Sequence, residues 1–262
     1  MSVDLARRQG GIEIKQFMRS RESVVFTMAF PVIMILIFAS IFDGEIAAGV
    51  KFTQYFITGM IATGLMTVGF QSLGIQIPIE RDKGILKRYR GTPMPKWVYF
   101  AGKVVMVAVI GVAEVAILLG ISIAFFGLEA PASAEKWVTF AWVSILGLSA
   151  CTLCGIAFSS VPRNARSATA VVTPVALVLQ FISGVFFVFT DLPVWMQQVA
   201  AIFPLKWMCQ GLRSVFLPDA FAAAEPAGSW ELGKVALILS AWCVVGLVLC
   251  VRTFTWQNKY SR

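Results

Sequence analysis

The sequence predicts an all-α integral membrane protein. One domain over 1–262 carries six transmembrane helices with cytoplasmic N- and C-termini, a short amphipathic helix between spans two and three, and a re-entrant helical pair between spans five and six. Composition is the first reason: 58% of the 262 residues are apolar and 14% charged, and mean hydropathy is +0.79, whereas a soluble domain needs roughly 25% charged residues to cover its surface. The second is where charges are missing. Uncharged runs cover 23–42, 52–79, 137–162, 167–190 and 235–251, and the run 104–128 is broken only by Glu114. Each can cross ~30 Å of hydrocarbon at ~1.5 Å per residue, the last only just. The third is the bias of the loops. With the N-terminus inside, 17 of the 22 Lys and Arg residues fall in cytoplasmic segments and 5 outside, a strong positive-inside asymmetry. The net charge of +8 then reads as anchoring at an anionic leaflet. No isolated basic domain exists to bind nucleic acid.

The lead-in, 1–22, sets Ile12, Ile14, Phe17 and Met18 among Glu13, Lys15, Gln16 and Arg19. That pattern suits a short helix in the cytoplasmic interface, with a solvated lead-in as the alternative. The first apolar run starts behind mixed charges and continues too far for a signal-peptide core, so it is expected to stay as span one. In span two Gly59, Gly64, Gly69 and Gly74 recur every five residues. Five residues advance a helix by ~500°, so these glycines spiral and imply close packing on several sides. Gln71 and Gln76 should avoid lipid, which makes this helix either partly pathway-lining or simply well packed.

The loop 80–103 holds Gly84 and then Ile85, Leu86 and Tyr89 at the spacing of one helical face, with Lys87, Arg88 and Arg90 directed elsewhere. Gly91 and Thr92 end this helix, Pro93 and Pro95 forbid its continuation, and Trp97 and Tyr99 suit interface anchors for span three. A small helix with an apolar face, held between two spans, is a docking element. Farther along span three, Glu114 lies ~15 Å past Val104, where a carboxylate costs ~2.5 to 3.5 kcal/mol. It is either a proton or substrate-cation contact or a helix–helix hydrogen-bonding group.

The region 191–234 contains an uncharged stretch, 192–205, interrupted by Pro193, Gln197, Gln198 and Pro204 and too short to span. It reads as helical pieces on the outer side, covered by protein or water. Phe186, Phe187, Trp195 and Trp207 suit an exit gate for an apolar substrate, and equally a lipid interface. No histidine is present, so imidazole-based catalysis and metal ligation are excluded. Cys151 and Cys154 form C-x-x-C inside a span with no second pair, which favours packing over a zinc or redox site. Gly228, Gly233 and Lys234 copy the spacing of a phosphate loop, but Val235 stands where Ser or Thr would hold magnesium. No catalytic residue, metal site or bound cofactor is therefore expected in this chain.

The run Glu80, Gly84, Leu86, Arg88, Gly91, Thr92, Pro93, Gly102 and Lys103 resembles the cytoplasmic loop of the type-2 permeases of ATP-binding-cassette exporters. A second match follows span five: Ser183 to Phe187, Leu192, Pro193, Trp195, Pro204, Leu205, Leu212 and Arg213. The family usually has proline where Val188 stands, and a threonine and an aromatic where this chain has Lys206 and Trp207. The resemblance implies a multi-pass permease of the bacterial plasma (inner) membrane. Its coupling helix, Gly84 to Pro93, would dock on a separate ATP-binding-cassette ATPase that holds ATP and magnesium. Two permease subunits, identical or not, would pair with two ATPase copies. Export of drugs, lipids or other apolar molecules is the leading expectation. A polysaccharide or glycolipid exporter of the same frame and an ion-gradient carrier using Glu114 are the alternatives, and an intramembrane enzyme is disfavoured by the missing histidines.

Overall fold

The computed structural model describes residues 2–42 and 44–254; the C-terminal cations Lys259 and Arg262 lie outside the described residues. Helix α1 is Ser2–Arg19. Helix α2 runs over 21–41, with Arg21–Val24 and Phe30–Ile41 joined by a π-helical turn Val25–Ala29. After a small hairpin of β1 (Glu45–Ala47) and β2 (Val50–Lys51) comes α3, Phe52–Asp82, which contains a second π turn at Thr67–Gln71. The short α4 is Ile85–Arg90, followed by α5, Lys96–Phe126; α6, Ala134–Phe158; and α7, Ala165–Ile182. Two shorter helices, α8 (Val194–Ala200) and α9 (Pro204–Phe216), precede α10, Leu232–Thr253.

Five of these helices, α3, α5, α6, α7 and α10, are long and apolar enough to cross a membrane, whereas the apolar part of α2, Thr27–Ile41, is shorter. The chain is an all-helical membrane protein. The hairpin is unannounced in the sequence: Ala47 pairs with Val50 across Ala48 and Gly49, whose φ values of 53° and 74° match the left-handed pair of a tight two-residue turn.

Helix α3 is the axis of the bundle, in contact with α2, α5, α6, α7 and α9. Its spiralling glycines each admit a different neighbour. A Cβ on Gly59 would lie 3.1 Å from the Val185 backbone, on Gly64 2.6 Å from the Glu114 carboxyl in α5, on Gly69 3.0 Å from Cys151 in α6, and on Gly74 3.2 Å from Val172 in α7. At the π turn the approach is mutual, since a Cβ on Gly155 of α6 would meet the Gly69 carbonyl at 2.6 Å. These are the close backbone approaches that membrane helices use in place of a hydrophobic drive.

Helix α9 is buried at all thirteen of its residues, so the helical pair expected in 192–205 is larger than its uncharged stretch suggested. The charge of Lys206 and Arg213 concealed the second half. Capping fixes the start of α7: the Asn164 side chain accepts from the Ser167 amide at 2.8 Å, and Asp82 at the end of α3 accepts from the Ala165 amide at 3.1 Å.

Candidate functional site

The loop after α3 turns at Gly84, whose φ of +71° is a left-handed conformation that a Cβ would strain. Thr92 closes α4 by donating its hydroxyl to the Tyr89 carbonyl at 2.7 Å. Between these stops, Leu86 is fully buried in a cluster with Phe17, Leu73, Ile77, Tyr99 and Met106, and Tyr89 packs against the same cluster. This corrects the sequence expectation for the apolar face. Leu86 and Tyr89 dock α4 onto its own chain, because α1, α3 and α5 supply the apolar cover that a lone helix on a loop would have to seek elsewhere. Gly84 and Ile85 are half-buried, and the outward surface consists of Lys87, Arg88, Arg90, Gly91, Thr92 and Pro93.

Beneath α4 lies a cluster of buried charges. Lys103 of α5 is wholly buried, and its Nζ stands 2.7 Å from Glu13 Oε2 of α1 and 2.5 Å from Glu80 Oε1 of α3. The Tyr99 hydroxyl donates to Glu80 Oε2 at 2.8 Å, and the Gln76 amide donates to Glu80 Oε1 at 3.0 Å and Glu13 Oε2 at 3.4 Å. Gln9 Nε2 donates to Glu13 Oε1 at 3.0 Å and to the Tyr89 hydroxyl of α4 at 3.1 Å. Every oxygen of the two carboxyl groups thus has a donor, as buried polar groups require.

Glycines permit the geometry, since a Cβ on Gly102 would fall 2.5 Å from Gln9 Cγ and one on Gly10 2.7 Å from Val105. Two expectations change here. Gln76 serves the carboxylates instead of lining a pathway, and Tyr99 is buried instead of anchoring at the interface, where Trp97 remains half-exposed. The lead-in helix also buries Gln9, Glu13 and Phe17 while exposing Ile12 and Met18, the reverse of an apolar-inward stripe. The signal in the sequence was the i, i+4, i+8 spacing of Gln9, Glu13 and Phe17.

The remaining candidates lie apart from this cluster. Gln71 donates to Thr173 Oγ1 of α7 at 3.3 Å, a bond between helices. Glu114 is 1% exposed and faces Gly64, and neither of its oxygens has a hydrogen-bond partner among the described residues. The four gate aromatics do not form one surface: Phe186 packs on Phe181 in the core, Trp207 is buried with its indole N–H donating to the Ala201 carbonyl at 2.8 Å, and Phe187 and Trp195 are exposed.

At the other end of the bundle, Arg213 of α9 pairs with Glu225 at 3.1 Å, donates to the Gly184 carbonyl at 2.5 Å and stacks 3.9 Å from the Tyr55 ring. The Tyr55 hydroxyl in turn accepts from the Phe189 amide at 2.9 Å. Lys206 bonds Gln210 and lies 3.8 Å from the Trp207 ring. Sequence reading counted both cations as loop charges and missed their burial.

Residues 11–217, which take in Glu13, Glu80, Lys103 and Arg213, match the family described as ABC-2 type transporter. The chain belongs to that family. This ABC-2 permease is 23% identical over 168 residues to the "Probable multidrug ABC transporter permease YbhR" of Escherichia coli (strain K12), a match covering 64% of this chain and 45% of that protein. It is 25% identical over 211 residues to the "Inner membrane transport permease YadH" of the same strain, over 78% of this chain and 80% of that one. The ABC-2 permease therefore spans less than half the length of the first relative and most of the second. Helix α10 lies beyond the matched residues.

Proposed function

We propose that this permease is the membrane subunit of an ATP-driven exporter in the bacterial inner membrane. In this reading α2 completes six spans, both ends are cytoplasmic, α8 and α9 form the outer re-entrant pair, and α4 is the contact for a separate ATPase. One observation carries it: α4 is anchored from behind by Leu86 while its basic residues Lys87, Arg88 and Arg90 stand exposed. A helix fixed on its apolar side and open on its charged side is suited to receive a push from a soluble partner. ATP and magnesium belong to that partner, two copies of which would act on two permease subunits. Similarity to a probable multidrug permease supports an apolar small molecule, drug or lipid as cargo.

The test is reconstitution with the ATP-binding-cassette ATPase that co-purifies with the permease. ATP-dependent movement of a fluorescent lipid analogue or a hydrophobic dye is expected only when both proteins are present. A second reading draws on Glu114, whose buried carboxyl would suit an ion-gradient carrier. Vesicles holding the permease alone, under a proton gradient, decide between them, and transport there would overturn the exporter.

A further inference from the structure

The cluster of Glu13, Glu80 and Lys103 lies where α1, α3 and α5 already pack through the apolar core around Leu86, and it adds a charged register to that packing. Glu80 lies on α3 just before α4, Lys103 lies on α5 just after it, and Glu13 lies on α1, 90 residues from Lys103 in sequence. Helix α4 reaches the cluster by three routes: covalently through the end of α3, covalently through the start of α5, and sideways through the Tyr89–Gln9–Glu13 chain of hydrogen bonds. Any displacement of α4 therefore strains the cluster.

Stability alone is a poor account of three buried ions. Apolar replacements of matching volume are often as stable as a buried ion pair, whereas removing one partner is strongly destabilising. What buried ions enforce is a single register, because a slip of either helix leaves a charge without its donor.

We propose that Glu13, Glu80 and Lys103 are the positioning residues of energy coupling: they clamp α1 and the inner ends of α3 and α5 into one lever, so that motion received at α4 is passed to the spans. The inference rests on the exporter reading, and it adds α1 to the moving parts.

The experiment uses the full permease with its ATPase in proteoliposomes and measures transport per ATP hydrolysed. The main variant is the triple Glu13→Gln, Glu80→Gln, Lys103→Met, which removes every charge and nearly preserves volume. It is expected to insert, to bind the ATPase and to support hydrolysis near the wild-type rate, while transport per ATP falls about tenfold, within the usual span of coupling between sites. A wild-type ratio in this variant overturns the proposal.

Should the triple variant fail to accumulate, Glu13→Gln decides, because it leaves Glu80 and Lys103 as a balanced pair and removes only the charge that α1 contributes. A ratio reduced about threefold or more supports the lever, and an unchanged ratio overturns it. Absence of ATPase binding by the wild-type permease would instead defeat the exporter reading, an outcome distinguishable from either.

Discussion

Two buried ionic sets stand among the described residues of the permease, and they differ in what they hold. The inner one places two carboxyl groups on one ammonium, serves all four carboxyl oxygens, and ties helices flanking an exposed basic helix. The outer one balances one guanidinium against one carboxylate, fastens α9 to the turn at Gly184, and leaves Arg213 Nε and Glu225 Oε2 without hydrogen-bond partners among the described residues. A set whose every oxygen is occupied depends on an exact register of three helices. A set with spare polar atoms, wrapped around a helix buried on all sides, is a lock. Buried charge in this chain therefore does two jobs, and only the surroundings distinguish them.

If the outer set is a lock, Arg213→Met should have the largest effect on folding. It strands Glu225 and should cost ~3–5 kcal/mol, read as loss of monodisperse protein on size exclusion. Adding Glu225→Leu should recover most of it with export intact. A stable Arg213→Met single variant would break the contrast.

Next in size is Leu86→Ala, a core truncation expected to cost ~2–5 kcal/mol and to lower the melting temperature of the detergent-solubilised permease. The charge-reversing pair Lys87→Glu and Arg88→Glu should leave that temperature unchanged and remove the ATPase from the membrane. Equal destabilisation by both changes would mean that α4 has no separate outward face.

Smaller still is Gly64→Ala, whose new methyl would press on the Glu114 carboxyl at a cost of ~1–3 kcal/mol. Glu114→Ala in the same chain should relieve it, measurable as coupling in a double-mutant cycle. Glu114→Gln alone should change least, because an amide keeps the shape and hydrogen-bonding capacity without the charge. Transport within about twofold of wild type is expected, and complete loss with normal assembly would move Glu114 into the mechanism.

The spans were legible because hydrocarbon thickness imposes long uncharged runs, and α3, α5, α6, α7 and α10 follow them closely. The glycine spiral of α3 was legible for a geometric reason: a five-residue step cannot stay on one face. The inner cluster was not legible. Glu13 reads as the polar side of the lead-in helix and Glu80 and Lys103 as the ends of a family-like loop, because sequence shows which residues are charged and not which are dehydrated by helices distant in the chain. Leu86 was identified as apolar and facing a partner. That partner is α1, α3 and α5 of the same chain, since no periodicity in a six-residue helix says which surface covers it. Lys206 and Arg213 misled in the opposite sense, hiding the length of α9.

The enclosure of α9 constrains the order in which the protein can be made. A Cβ on Gly211 would lie 2.9 Å from Val143 of α6 and 3.2 Å from Val235 of α10, so α9 is gripped between a helix synthesised before it and one synthesised after it. While α10 is still in the ribosome, the Gly211 flank of α9 has no protein cover. Lipid is a poor substitute for that cover. The cover of α9 is therefore completed only once α10, synthesised after it, has packed against it. A ribosome stalled before Leu232 would leave a chain that is inserted but unfinished, with α9 as the exposed segment for membrane quality-control proteases to recognise.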